Sequence, residues 1–215
     1  MRNIFILITL LCVTIAGCAN ITQPSPAPEV TQVEPELTIP TGYTTYTSEA
    51  QLFSISYPSD WETALSLIPD LEKDTKSFIN NYDAGIPLNK YTLIFLAGRR
   101  TPGGFSPNVN IGVEPIPYGT KTYEQVAEAE EILVAKAIPG YRVFSRMETT
   151  VDGRKVRIDD AEGALEEQGE KSRILMMMML VDKTVWQVTC GSTHEEFAKM
   201  GKGMLSVVRS LRVKR

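Results

Sequence analysis

Ile174-Leu175-Met176-Met177-Met178-Met179-Leu180-Val181 is apolar at every position. A strand turns alternate residues to opposite faces, so a strand of this composition has to be covered on both. It reads as a central strand with cover above and below its sheet. Three helical segments supply that cover. Leu65 to Tyr82 carries a stripe of Leu67, Leu71, Phe78 and Ile79, with Pro69 in the first turn, where proline is tolerated. Thr122 to Ala137 has Thr122 as its cap and Tyr123, Val126, Ala127, Leu133, Val134 and Ala137 as its apolar side. Glu124, Glu128, Glu130 and Glu131 fall to its remaining surface. His194 to Arg209 begins behind Thr193, with Glu196 three residues on in a capping-box pattern.

Strands account for the rest. Tyr43 to Thr47 and Gln51 to Tyr57 flank the polar turn Ser48-Glu49-Ala50, with Phe53, Ile55 and Tyr57 alternating against Leu52, Ser54 and Ser56. Pro58 and Asp60 stop the second strand just before Trp61. Tyr91 to Ala97 and Asn108 to Glu114 follow, separated by a Pro/Gly-rich turn from Thr101 to Pro107. After Pro139-Gly140 comes a meander: Tyr141 to Thr150, Lys155 to Gly163, Lys171 to Val181 and Thr184 to Gly191. Asp152-Gly153 joins its first two strands and Asp182-Lys183 its last two, and Asp-Gly between β-rich runs is a strong hairpin signal. The expected fold class is α+β, a mostly antiparallel β-sheet flanked by α-helices on both faces. Trp61 and Trp186 are expected against the sheet.

The N-terminus reads as an address. Arg2 is followed by an apolar run from Ile4 to Ile15, shorter than the ~20 residues a membrane span needs, and by the small residues Ala16 and Gly17 before Cys18. Arg2, Ile15, Ala16, Gly17 and Cys18 resemble a bacterial lipoprotein signal. That resemblance implies that residues 1–17 are removed and that Cys18 is lipidated. The alternative is an ordinary cleavable signal with a chance cysteine. Residues 18–40 then join the lipidated Cys18 to a linker holding Pro24, Pro26, Pro28, Pro35 and Pro40. Such a composition favours an extended spacer, and Ala19 to Pro40 can reach ~65 Å at ~3 Å per residue. Residues 41–215 are the globular domain, long enough for one full core. The expected location is the extracytoplasmic face of the cell membrane, or the outer membrane in a cell that has two.

Charge narrows the choice of partners. The chain has 22 basic and 26 acidic residues; losing Arg2 leaves 21 against 26, or −5. Glu29, Glu34 and Glu36 lie in the linker, so residues 41–215 carry 21 against 23, or −2. That balance gives no electrostatic case for nucleic acid or for anionic lipid. The expected contacts are the membrane through the lipid anchor and a protein of the envelope.

Few residues invite chemistry. With Cys12 in the signal and Cys18 acylated, Cys190 is left alone, sharing a strand face with Trp186 and Val188. It reads as an inert core thiol. His194 is the single histidine, which excludes an imidazole-based zinc site. A Cys190–His194 nucleophile pair would need both groups within hydrogen-bond reach and an exposed thiolate. The four consecutive methionines invite a copper reading, but neighbours on a strand point apart, so core filling is preferred. Asp159, Asp160, Glu162, Glu166, Glu167 and Glu170 read as a solvated acidic rim, with weak divalent-ion binding as the alternative. Gly98 to Gly104 lacks the Gly-Lys-Ser/Thr of a phosphate loop, although Arg99 and Arg100 can face an acidic partner. No cofactor, metal ligand or catalytic residue is expected.

Phe53-Ser54-Ile55-Ser56-Tyr57-Pro58-Ser59-Asp60-Trp61 resembles the opening signature of PsbP-like domains, an aromatic-led strand ending in Tyr-Pro-x-x-Trp. Further features recur in the same order: Asn108-Val109-Asn110-Ile111, Tyr123 on a helix, Pro139-Gly140-Tyr141, Val151-Asp152-Gly153, and a strand-helix unit ending near Ser210-Leu211. The resemblance covers about residues 43 to 213 and implies the Mog1/PsbP-like α/β/α sandwich. It also implies a non-catalytic domain that binds other proteins. Members include an extrinsic photosystem II subunit, a nuclear-transport GTPase partner and bacterial lipoproteins, and Ala19 to Pro40 does not match the photosystem subunit's N-terminal segment. The expected function is therefore a protein-binding or accessory module on a lipid anchor. Carriage of a small ligand or metal ion in the envelope is the alternative, and an enzyme ranks below both.

Overall fold

The computed structural model describes residues 29–31, 39–48, 52–64, 73, 75–78, 80, 91–101, 104–117, 119–120, 122–164 and 171–214. Its strands are β1 (Glu29–Thr31), β2 (Tyr43–Thr47), β3 (Phe53–Pro58), β4 (Glu62–Thr63), β5 (Thr92–Thr101), β6 (Gly104–Pro115), β7 (Arg142–Val151), β8 (Arg154–Ala164), β9 (Lys171–Val181), β10 (Thr184–Ser192) and β11 (Arg212–Val213). Helical backbone occurs at residues 73, 75–78 and 80, here α1, and forms α2 (Tyr123–Ala137) and α3 (His194–Arg209). Cys18, the removed signal, and most of Leu65 to Tyr82 lie outside the described residues.

The methionine strand is central, as its composition requires. β9 lies between β8 and β10 in an eight-stranded sheet ordered β1-β7-β8-β9-β10-β6-β5-β4. Met179 faces Val156 and Trp186 across the sheet, whereas Met178 faces Arg157 and Gln187. Direct cross-strand partners share a face, so the sheet has two distinct sides. On one, Met177, Met179, Trp186 and Ile111 pack with Phe53 of β3, Phe78 of α1, and Met204, Val207 and Val208 of α3. Phe53 and Phe78 both meet Trp186 edge-on, with ring centres 5.8 and 5.6 Å away. On the other side, Met178 and Val185 pack on Val126 and Ala127 of α2, and Met176 and Ile174 on Val134. Trp61 is buried in the first of these cores.

Four differences from the sequence reading have physical causes. The first hairpin does not join the main sheet: β2 and β3 form a separate three-stranded sheet with β11, the C-terminal tail. The expected turn from Thr101 to Pro107 is mostly strand, because β5 and β6 continue pairing as far as Thr101 and Gly104 after a bulge near Gly98. There a side chain on Gly98 would meet the Pro107 carbonyl oxygen at 2.6 Å, so glycine permits the close approach. Thr193 accepts from the Glu196 amide at 3.2 Å, but the Glu196 carboxylate turns to Arg99 and Ser106 instead of closing the capping box. Thr122 and Gln125 of α2 do form both halves of one. Finally, Glu29–Thr31 of the proline-rich stretch pairs in parallel with Arg146, Met147 and Glu148 of β7. An already extended segment loses little freedom on joining an edge whose N–H and C=O groups are open.

Candidate functional site

The polar side chains that the fold brings together lie beneath α2. Val126, Glu130 and Val134 follow one another at four-residue spacing, so all three face the sheet. Glu130 is 1% exposed, which corrects its expected place on the solvent side of the helix. Leu133, expected on the apolar stripe, is instead exposed. Below Glu130, Gln187 of β10 donates from Nε2 to Glu130 Oε2 and to Glu114 Oε1 of β6, both at 2.7 Å. Burial, and then the neighbouring Glu114 charge, push the Glu130 carboxyl up to about 9. Burial also raises Glu114, while hydrogen bonds from Glu130 and Gln187 oppose the rise. Glu130 Oε1 has no hydrogen-bond partner among the described residues, so the hydrogen bond between the two carboxyls runs through Glu130 Oε2. Two carboxyls thus share one proton and lock the helix to the sheet. Gly112, on the same strand as Glu114, lies directly under the Tyr91 ring and leaves no room for a Cβ.

Toward β7 and β8 the same interface is ionic. Asp159 Oδ1 accepts from Arg146 Nε at 2.9 Å and Asp159 Oδ2 lies 3.3 Å from Arg157 Nε. Glu131 of α2 closes the group, 2.8 Å from Arg146 and 3.5 Å from Arg157. Burial lowers the Arg146 pKa, but Asp159 and Glu131 outweigh it and hold the guanidinium charged. Arg157 Nη2, Tyr123 Oη and Tyr141 Oη are buried without a hydrogen-bond partner among the described residues, and burial raises both phenols.

The expected solvated acidic rim is thereby corrected. Asp159 is 1% exposed, Asp160 takes Arg173 Nη2 at 2.6 Å, and Glu162 takes Lys171 Nζ at 2.9 Å. The acids are neutralised by bases one strand away, a pairing that the linear sequence does not display. Glu166, Glu167 and Glu170 lie outside the described residues. Among the described residues, no group of three or more His, Cys, Asp or Glu is placed to hold a metal ion.

Cys190 and His194 are not brought together. The Cys190 thiol is fully buried and faces the Met204 carbonyl at 4.0 Å, and burial pushes its pKa up. The His194 ring is half exposed, with Nε2 3.8 Å from Glu162 Oε2. Met176 to Met179 divide between the two cores, so they converge on nothing. Arg99 pairs with Glu196 at 3.3 Å and Asp60 at 3.5 Å.

One surface cluster had no sequence signal. A bulge between Val143 and Ser145 of β7 leaves Phe144 as the extra residue, 38% exposed. The Arg142 and Arg173 guanidinium carbons lie 5.3 and 4.3 Å from its ring centre, and Arg173 also lies 4.8 Å from that of Phe197. Glu130 could have been found from its spacing to Val126 and Val134; Phe144 could not, because the bulge breaks the alternation.

The sequence matches no protein-family model and no curated protein. Among solved structures, cyanobacterial PsbP (CyanoP) from Synechocystis is similar over 93% of this chain and 99% of its own, with TM-score 0.53 at 9% identity. The Ran-binding protein Mog1p of Saccharomyces cerevisiae covers 80% of this chain and 95% of its own, with TM-score 0.46 at 11% identity. LpqN of Mycobacterium tuberculosis, involved in cell envelope biogenesis, covers 80% and 91%, with TM-score 0.47 at 9% identity. The likeness to cyanobacterial PsbP is one of fold, and the chain has the Mog1/PsbP-like architecture that its motifs resemble.

Proposed function

We propose that this chain is a membrane-anchored extracytoplasmic lipoprotein whose domain is a non-catalytic accessory module binding a protein of the cell envelope. The observation that supports the non-catalytic part is where the reactive side chains go. Cys190 faces the core, and the buried acids and guanidiniums of the sheet engage one another. Nucleophilic catalysis needs an exposed, activated thiolate, and an acid–base pair needs access to substrate. The lipobox-like Ile15-Ala16-Gly17-Cys18 supports the location. Acyl chains contribute ~0.8 kcal/mol per buried methylene, so two or three of them hold a protein on a membrane stably. Cys18→Ser should move the product out of the detergent phase, and equal partition of variant and wild type would remove the anchor. Crosslinking of the native lipoprotein in its membrane, followed by mass spectrometry, should then yield a protein joined at defined residues of this domain.

Carriage of a small polar ligand is the second reading, favoured by Arg157 Nη2, Tyr123 Oη and Tyr141 Oη, which have no hydrogen-bond partner among the described residues. Buried donors are normally satisfied by protein, water or ligand. Native mass spectrometry of the lipoprotein, purified without chelator, separates the two: a stoichiometric small molecule or metal supports carriage.

A further inference from the structure

We propose that the end of the sheet holding Arg142, Phe144, Lys171 and Arg173 faces the bilayer, with Phe144 among the lipid headgroups and Arg142 on their phosphates. The inference rests on the lipid anchor proposed above. Two independent observations support it.

The first is the direction of the tether. β1 runs parallel to β7, with Glu29 beside Arg146 and Thr31 beside Glu148, so the chain enters the sheet from the Arg142 end. From Cys18 to Glu29 the backbone can span at most about 40 Å. Passing from Arg146 to Arg142 takes about 13 Å of that. A tether that docks at Glu29 therefore brings the anchored cysteine within roughly 25 Å of that end of the sheet. The same stretch left undocked to Pro40 would allow ~65 Å and no fixed orientation.

The second is what stands there. Phe144 is one of the large apolar side chains left exposed, and the bulge turns it out of the strand's alternation. Guanidiniums flank its ring. Asp160 and Glu162 neutralise Arg173 and Lys171; Arg142 stands opposite Glu162 in the β7–β8 register and, after Lys171, helps lower its pKa, but makes no salt bridge among the described residues. An apolar ring with flanking cations suits the boundary between acyl chains and headgroups. Such a contact is too weak to hold a domain of net charge −2 by itself, in keeping with its composition. With the chain already acylated, the effective concentration of lipid at that end is high, and a weak contact is enough to orient the domain.

Cys190 is buried, so new surface cysteines can be labelled selectively. Ser145→Cys and Lys183→Cys place an environment-sensitive fluorophore at opposite ends of the sheet in the full-length lipoprotein. The probe is a vesicle of phosphatidylethanolamine and phosphatidylglycerol containing a headgroup spin-labelled lipid. Quenching is expected at position 145 and not at 183. It should be lost in Phe144→Ser combined with Arg142→Gln, with unchanged melting temperature, and reduced in Thr31→Pro, which removes a β1 amide. A protein that fails to float with vesicles overturns the anchor and this inference together. One that floats but is quenched equally at both positions, or more at 183, overturns the orientation and leaves the anchor standing.

Discussion

Glu130 is a carboxyl that the fold keeps protonated, and this has a consequence for stability. Its folded pKa, pushed up to about 9 by burial and then by Glu114, lies above the ordinary value of 4.5. The folded state thus binds a proton that the unfolded state releases above that ordinary value. The contribution to stability is complete below pH ~4.5 and is lost as pH rises toward 9. Glu130→Gln has no proton to lose and can still donate to Glu114. Urea unfolding across this range should show wild-type stability falling with pH while the variant stays nearly flat, and parallel curves would sink the shared-proton assignment. Cys190 is the opposite case, a group with no titration to exploit. Cys190→Ala should cost stability modestly, and thiol reagents should label the folded wild type only as fast as it unfolds. Rapid labelling would show an accessible thiol. Cys190 was legible because Trp186 and Val188 share its strand face. The position of Glu130 is legible from spacing, but its residue type argues the other way: a carboxylate is almost never fully buried unless it is paired, and its partner Glu114 lies on a strand outside the helical pattern.

At the scale of elements, β8 and β9 illustrate the same division. An uninterrupted apolar strand admits one interpretation, central and covered twice, and β9 sits there. β8 alternates Val156 and Ile158 with Arg157 and Asp159, a pattern that ordinarily means one wet face. Its charged face is instead beneath α2, paired with Arg146 from β7 and Glu131 from the helix except at Arg157 Nη2. Sequence order conceals such pairing because each partner belongs to a different element. Removing Asp159 leaves the buried Arg157 and the Arg146 guanidinium with Glu131 alone, and losing one partner of a buried ionic group costs about 3 to 5 kcal/mol. Asp159→Ala should lower the denaturation midpoint accordingly. A loss under ~1 kcal/mol would mean that water already supports Arg157 and Arg146. Trp186→Ala tests the other face, where Phe53 and Phe78 meet the indole. The expected loss, roughly 3 to 5 kcal/mol by cavity formation, is similar in size but independent of pH.

For the whole molecule, the decisive connection is made by the last residues described. Leu211 and Val213 are buried, β11 pairs with β3, and the Lys214 amide donates to the Leu52 carbonyl at 2.7 Å. The Val213 amide donates to Asp152 Oδ2 at 3.2 Å, and Arg154 Nη2 donates to the Val213 carbonyl at 3.1 Å. The tail therefore ties the small sheet to the β7–β8 turn of the large one. Ser210 Oγ adds a further tie, accepting the Ser56 amide at 2.8 Å across 154 residues of sequence. That separation is why the two-sheet arrangement was not legible: the motif around Phe53 to Trp61 identifies the strand, not its neighbour. Burying a Val or Leu side chain contributes about 1.5 to 3 kcal/mol, so a chain ending at Ser210 should lose about 3 to 6 kcal/mol. Domains of this size hold roughly 5 to 15 kcal/mol in total, so the truncated chain should be marginal at ambient temperature. Hydrogen exchange should show β3 amides losing protection first, with β9 amides retaining more. Asp152→Gly, which keeps the turn residue permissive at positive φ but deletes the carboxylate, should reproduce part of the effect. If truncation cost under ~1 kcal/mol, the small sheet would be held by its aromatic contacts with Trp186 and Phe95 and by its contacts with α3 and Ser210, and the tail would have no structural role.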